Sequence, residues 1–478
     1  MSRDASASVA FAARTTKETI PLIAIPTDPG RSWLKTLPAR HAAWLQAQGA
    51  ALDKAGLVIL APDENGAVEA VYFSPTSHAG DAWHLAHLPG ALPEGRYALD
   101  DTKLDRVQAT QFAFGWAVAQ LPDQRYQSKP AIKELRTLVW PTHAVREEVL
   151  AWVEGVIMTR RLVNTPAEDL GPAELSNAAR ELANAFGGRM QEVVGADLLS
   201  EGFPAVHAVG RGALPSRAPR VMALRFTVSK SAPTVALVGK GVVFDTGGLD
   251  IKPRSSMRHM KKDMGGSAVA LGVARTLLEQ GVNLNLLVII GAVENVVSAG
   301  AFRPGDVLQT RKGLTVEVGD TDAEGRLVLA DCLTYAGEQE PDLIIDFATL
   351  TGAARVALGP DLPPVMSRDA ALSATMAQVG FSVGDPLWSM PLYPPYAQHL
   401  RSSIADMGNI TEGFPFAGSI TAGLFLERFV PKSIPWAHLD VFCWNPSSRA
   451  GRPTGGEAHA VRAVATFLKG WKPSKKGR

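Results

Sequence analysis

Apolar positions in the first part of the chain come in short runs, Ile20–Ile25, Gly56–Ala61 and Ala67–Phe73, which predict strands, and Gln108–Leu121 predicts a helix. Pro, Gly and Asp fill the segments between them, as loops require. Residues 1–144 are thus expected to form a smaller α/β domain. They show no acid–base or ligand motif, which suits a structural or assembly role. Val145, Val149, Trp152, Val153 and Val156 then recur at helical spacing among Arg146, Glu147 and Glu148. Asn164-Thr165-Pro166 stops that helix, because the residue before a proline disfavours the α region. Residues 145–165 read as a linker helix and 166–478 as a second, larger domain.

Beyond Pro166 the pattern alternates. Pro233–Val238, Leu284–Ala292, Leu314–Val318 and Asp342–Phe347 read as strands, with Gly265–Gln280 and Leu327–Gly337 as helices. Such alternation predicts an α/β fold with a mainly parallel central sheet covered by helices. Ligands in such folds bind beyond the carboxyl ends of the strands. The polar residues that follow the strands are therefore the candidates for chemistry.

The 478 residues suit two or three domains at roughly 150 residues each. Hydrophobic residues at 46% and charged residues at 20% exclude general disorder. Two cysteines, Cys332 and Cys443, form no CxxC and cannot staple a scaffold, so a reducing cytoplasm is the expected location. A net charge of +1 argues against nucleic acid or an acidic membrane as a general partner. The basic stretch Lys469–Arg478 reads as a solvated tail. No apolar run reaches the roughly 20 residues of a membrane helix, and Ala5–Ala13 lacks the basic flank of a signal peptide.

Three clusters follow predicted strands or precede helices. Val238–Gly248 surrounds Lys240 and Asp245 with glycines, and Lys252 follows; the spacing fails the phosphate-loop pattern. Met260–Gly266 places Asp263 before a helix, as an N-cap or as a ligand. In Asp320–Arg326, Asp322 and Glu324 stand two apart and share a side if the chain is extended. There they repel unless a cation lies between them, the alternative being a solvated acidic turn. Asp245, Asp263, Asp322 and Glu324 could together hold two divalent metals. Lys240 could join them only as a neutral amine, while a charged Lys252 could stabilise an oxyanion. HExxH and Gly-x-Ser-x-Gly are both absent from the sequence. His259, His438 and His459 are scattered and read as packing or surface residues, and Cys332 sits in an apolar helical pattern unsuited to a nucleophile.

Thr321-Asp-Ala-Glu-Gly-Arg-Leu327 resembles the signature of the leucyl aminopeptidase (cytosol aminopeptidase) family. Val238–Gly248, Ile251-Lys-Pro253, Met260–Gly266, Phe302–Asp306, Asp346–Gly352 and Trp436–Asp440 resemble its other blocks in the same order, from about Asn164 onward. The resemblance implies a macro-like N-terminal domain, a homohexamer, and two divalent metals: zinc, manganese or magnesium. It implies a tighter site of Lys240, Asp245, Asp263 and Glu324 and a more exchangeable site of Asp245, Asp322 and Glu324. Lys252 would polarise the scissile carbonyl, and Arg326 would hold a bicarbonate serving as general base for a bridging water, with backbone groups of Ala323, Gly325 and Leu350 around that ion. Met260, Thr349, Leu350 and Gly352 would contact the substrate, and Asp263 would meet its free α-amino group. The family has Asn where Asp320 stands; its carboxylate would either disfavour acidic residues after the cleaved bond or cap the turn.

The expected activity is metal-dependent release of N-terminal residues, large apolar ones such as Leu, from peptides. The rivals are a scaffold or DNA-binding member of the family and a dinuclear phosphatase.

Overall fold

The computed structural model describes residues 10–26, 28–48, 52–76, 82–121, 125–128 and 136–473. Residues 5–9 of the apolar N-terminal stretch and 474–478 of the basic tail lie outside them. The chain divides between Glu154 and Gly155, inside the helix Arg146–Asn164, and Ser447–Pro453 joins the first unit.

The first unit contains a six-stranded sheet in the order Phe11–Ala12, Thr137–Val139, Arg96–Leu99, Ile20–Ala24, Val68–Phe73 and Val58–Pro62. Its pairings are parallel except for the antiparallel pair at the Val58–Pro62 edge. The helix Arg106–Val118 begins with a capping box: Asp105 accepts from the Gln108 amide at 2.8 Å, and Gln108 Oε1 accepts from the Asp105 amide at 3.2 Å. Its residues Ala109 to Val118 are all buried, which fixes the helix by packing more than by propensity.

The second unit is built on an eight-stranded sheet in the order Trp388–Ser389, Pro364–Ser367, Trp436–Asp440, Leu343–Ala348, Thr234–Asp245, Asn285–Asn295, Arg220–Phe226 and Arg189–Val194. The four strands from Trp436–Asp440 to Asn285–Asn295 are mutually parallel, and antiparallel pairs flank them. Leu286 to Val293 are all buried, as a strand covered on both faces requires. One expectation fails: Thr315–Glu317 is not in this sheet. It pairs with Val307–Gln309 and Met407–Gly408 in a separate three-stranded sheet.

The strand Thr234–Asp245 runs well past Val238, where the glycines suggested a turn. A Cβ at Gly239 would lie 2.5 Å from the Ser267 Cα, so that glycine admits the helix Gly265–Glu279 rather than ending the strand. Near its end the strand carries a bulge: Val242 faces Val293 and Phe244 faces Glu294, leaving Val243 as the extra residue. Lys240 and Asp245 are five apart and would point to opposite faces of a regular strand. With one residue bulged out they lie opposite Gly291 and Asn295, which share a face of the neighbouring strand.

Candidate metal centre

The parallel strands deliver polar residues at their carboxyl ends: Asp245, Asn295, Asp440 and, one residue past Leu343–Ala348, Thr349. Asp322 lies in the turn before the helix Glu324–Glu338, whose first residue is Glu324. That corrects the expectation of an extended stretch, in which the two carboxylates would share a side by alternation. They converge because the turn folds back. Thr321 accepts from the Asp250 amide at 2.9 Å and donates to the Gly247 carbonyl at 2.6 Å, and Gly247 has φ +87°. Asn409 holds the same turn, accepting from the Gly319 amide at 2.8 Å and donating to the Asp320 carbonyl at 2.7 Å.

Asp263 does not cap the following helix. It sits in the 3-10 turn Met260–Met264 and accepts from the Thr349 hydroxyl at 2.8 Å. Asp320 caps the next turn instead, accepting from the Asp322 amide at 2.7 Å.

Asp245, Asp322 and Glu324 bring one carboxylate oxygen each within 4.8 Å of one another. The Lys240 ammonium lies 2.8 Å from Asp263 Oδ2 and 2.8 Å from Glu324 Oε1, and donates to the Thr349 carbonyl at 3.2 Å. A Cβ on residue 325 would stand 2.5 Å from Lys240 Nζ, which is why Gly325 follows Glu324. Lys252 reaches Asp245 Oδ2 at 2.8 Å and also contacts Asp322. Asp245 Oδ1 accepts from the Gly247 amide and from Asn295 Nδ2, both at 2.8 Å.

Negative charge exceeds positive here. Burial, then the nearby Asp245 carboxylate, raises Asp322 to about 7. The same two causes hold Glu324 well above the usual carboxylate range. Burial opposes the charge on Lys240, but Asp263, Glu324 and Asp245 outweigh it and hold the ammonium above its ordinary value. Lys252 is raised in the same way against its own burial, with Asp245 foremost. Neither Glu324 oxygen accepts a hydrogen bond, and Lys240 approaches only one of them, without hydrogen-bond alignment. Asp263 Oδ2 and Asp322 Oδ1 are likewise buried without a hydrogen bond. Oxygens short of donors around shared carboxylates fit divalent cations, which take several oxygen ligands and need no donor.

Arg326 is buried and donates to the Asn409 carbonyl at 2.6 Å, while its Nε has no hydrogen-bond partner. Burial lowers it to about 10. That free N–H fits an anion such as bicarbonate. Two of the backbone groups expected around that ion are engaged elsewhere: the Leu350 amide donates to Asp440 at 3.0 Å and the Ala323 amide to the Asp320 carbonyl at 3.3 Å. Met260 is buried at the start of the Asp263 turn, and Gly352 is the exposed first residue of the short helix Gly352–Leu358. The histidines lie away from the carboxylates. His438 pairs with Asp346 at 2.6 Å, His259 packs on Trp444 with ring centroids 5.1 Å apart, and His459 accepts from the Cys443 amide at 3.2 Å. Sequence reasoning passed over Asn295 and Asn409. Register brings Asn295 opposite Asp245 across 50 residues of chain, and nothing local announces it.

Residues 157–465 match the cytosol aminopeptidase family, catalytic domain, and residues 20–141 match the M17 aminopeptidase, N-terminal domain. A probable cytosol aminopeptidase of Roseiflexus castenholzii is 41% identical over 359 residues, covering 73% of this chain and 72% of that protein. One from Xanthobacter autotrophicus is 37% identical over 435 residues, covering 88% of this chain and 86% of that protein. Among solved structures, the cytosol aminopeptidase of Coxiella burnetii superposes with a TM-score of 0.90 at 41% identity, over 96% of this chain and 99% of that one. The bottromycin maturation enzyme BotP in complex with Mn gives 0.82 at 30% identity, over 95% and 99%. A two-domain α/β fold, acidic side chains gathered at the strand ends and these matches agree: the chain belongs to the cytosol aminopeptidase family, metal-dependent hydrolases that cleave the N-terminal peptide bond.

Proposed function

We propose that the chain removes N-terminal residues from peptides with two divalent cations held between the strand ends. Lys240, Asp245, Asp263 and Glu324 would hold the tighter one, and Asp245, Asp322 and Glu324 the more exchangeable one. Glu324 carries this reading: it is buried, lies between Lys240 and the other carboxylates, and accepts no hydrogen bond on either oxygen. When bound, the cations supply Lewis-acid polarisation of a carbonyl and an acidified water.

The chain's own residues do the rest. Lys252, the more accessible of the two lysines, turns from its carboxylates toward the scissile carbonyl oxygen and offsets the charge that develops there. Lys240 would hold the tighter cation as a neutral amine, its proton passing to bulk water as the ion binds. Asp263 orients the substrate's α-amino group, held in place by the Thr349 hydroxyl. Arg326 keeps an unpartnered Nε–H that would hold a bicarbonate, which would supply a general base for the hydrolytic water. Zinc, manganese and magnesium are all hard or borderline enough for this oxygen-rich set. A homohexamer, with the 1–144 region in an assembly role, is the arrangement we assign to the working enzyme. Carboxylates form the compact cluster, which favours this reading over a dinuclear phosphatase.

The test is chelation followed by add-back of Mn2+, Zn2+ or Mg2+, with hydrolysis of aminoacyl p-nitroanilides and thermal unfolding followed in parallel. Activity should vanish and return, and Tm should rise with the ion that restores it. Turnover indifferent to chelation removes the cations from the mechanism.

A further inference from the structure

A narrow cleft adjoins the carboxylate cluster, and Lys262, Thr349, Thr351, Arg355, Asp440 and Phe442 are among its lining residues. Thr349 belongs to both places: its hydroxyl donates to Asp263 and its carbonyl accepts from Lys240. A peptide whose N-terminal bond lies at the cluster must put the side chain of its first residue in a neighbouring space, and this cleft is adjacent.

The cleft is cationic. Lys262 is 3% exposed, and its ammonium lies 5.2 Å from the centre of the Phe442 ring. The Arg355 guanidinium stands over the same ring at 4.5 Å. Among the described residues the carboxylate oxygen nearest to Lys262 is Asp263 Oδ1, 3.9 Å away, beyond hydrogen-bond reach and already accepting from Thr349. Asp440 also lines the cleft, but its carboxylate is turned to other donors: the Leu350 and Thr351 amides at 3.0 and 3.2 Å, the Thr351 hydroxyl at 2.6 Å and the Ser419 hydroxyl at 3.4 Å. An aromatic face repays only a small part of the cost of burying an ammonium. Two cationic groups sharing one ring, without a carboxylate hydrogen-bonded to either, leave a site shaped for an anion.

We propose that this cleft receives the side chain of the substrate's first residue and that Lys262 and Arg355 bind a carboxylate there, making aspartate and glutamate the preferred N-terminal residues. The proposal rests on the aminopeptidase reading above and replaces its expected preference for large apolar residues.

The experiment compares kcat/KM of the Mn2+-loaded enzyme on Asp, Glu, Asn, Gln, Leu and Met p-nitroanilides. The amides are close in shape to the acids and lack only the charge. The better acid should exceed its own amide by about 100-fold, because buried polar groups left unpaired reject the uncharged analogue. Lys262→Met and Arg355→Leu should each cut that ratio at least tenfold and raise turnover of Leu. Lys262→Arg should retain the preference, and a preserved Mn2+-induced rise in Tm shows that each variant is folded. Hydrolysis of Leu and Met with acids no better than their amides overturns the specificity and leaves the aminopeptidase standing. A ratio unmoved by both neutral variants does the same. Failure to cleave any of the six overturns both readings.

Discussion

Inside the catalytic sheet, Asp346 is fully buried and accepts from Trp436 Nε1 at 2.7 Å and from His438 Nδ1 at 2.6 Å. Asp385, also buried, accepts from the amides of Ala460, Arg462 and Ala463 at 3.0, 2.9 and 3.1 Å. At the strand ends, Glu324 is as deeply buried and accepts nothing. A buried carboxylate is tolerated when donors or cations answer it. The first group is answered by the fold itself and supports it. The second depends on something added, and the fold tolerates it by lending two lysines in the meantime.

The largest effect should come from removing a shared ligand. Asp245→Asn keeps the shape but loses one of the charges that the proposed site lends to both cations. The several kcal/mol of transition-state stabilisation that the ions supply correspond to a fall in kcat/KM of at least roughly 1,000-fold. The Tm of this variant should no longer respond to Mn2+. A variant that still gains stability from the metal would show that Asp245 is not a ligand.

Lys252→Ala separates holding the ions from using them. One lost oxyanion donor is worth about 3–4 kcal/mol, or roughly 100-fold or more in kcat. Because Asp245, Asp263, Asp322, Glu324 and Lys240 all remain, the metal-dependent rise in Tm should persist. Loss of metal affinity together with turnover would make Lys252 a structural counter-ion only.

The smallest catalytic effect should come from the answered group. Asp346→Asn breaks a buried pair and should cost about 3 kcal/mol of stability while kcat is unchanged. Its pH dependence has a definite sign. Burial opposes the charge on His438, but Asp346 beside it prevails and holds the imidazole above its ordinary 6.5. That stabilisation is fully present below about 6.5 and is lost as pH rises through the folded-state value. Denaturant unfolding on either side of 6.5 should show the loss in the natural sequence and a flatter profile in the variant.

Much of the α/β alternation and the acidic side chains that gather at the strand ends could be read along the chain, because strands, helices and acidic turns have local signatures. Where the reading failed, the deciding contact was distant. Gly239 looked like the end of a strand, since its helix neighbour Ser267 is invisible from local sequence. Asp263 looked like a cap because a carboxylate before a helix usually is one, and only Thr349 and Lys240 show its other allegiance. Lys262 drew no notice beside it. Its burial against Phe442 depends on a residue 180 positions away, and a Lys-Lys-Asp run ordinarily marks a solvated surface.

The surplus residue at Val243 makes the facing of Lys240 and Asp245 a matter of parity. Losing that residue alone would leave the amine and the carboxylate four positions apart on a regular strand and still on one face, whereas one more residue beside an intact bulge would turn one of them to the far side of the sheet. A variant library over this segment should therefore recover working enzymes from loss of Val243 more readily than from a single insertion that leaves the bulge in place.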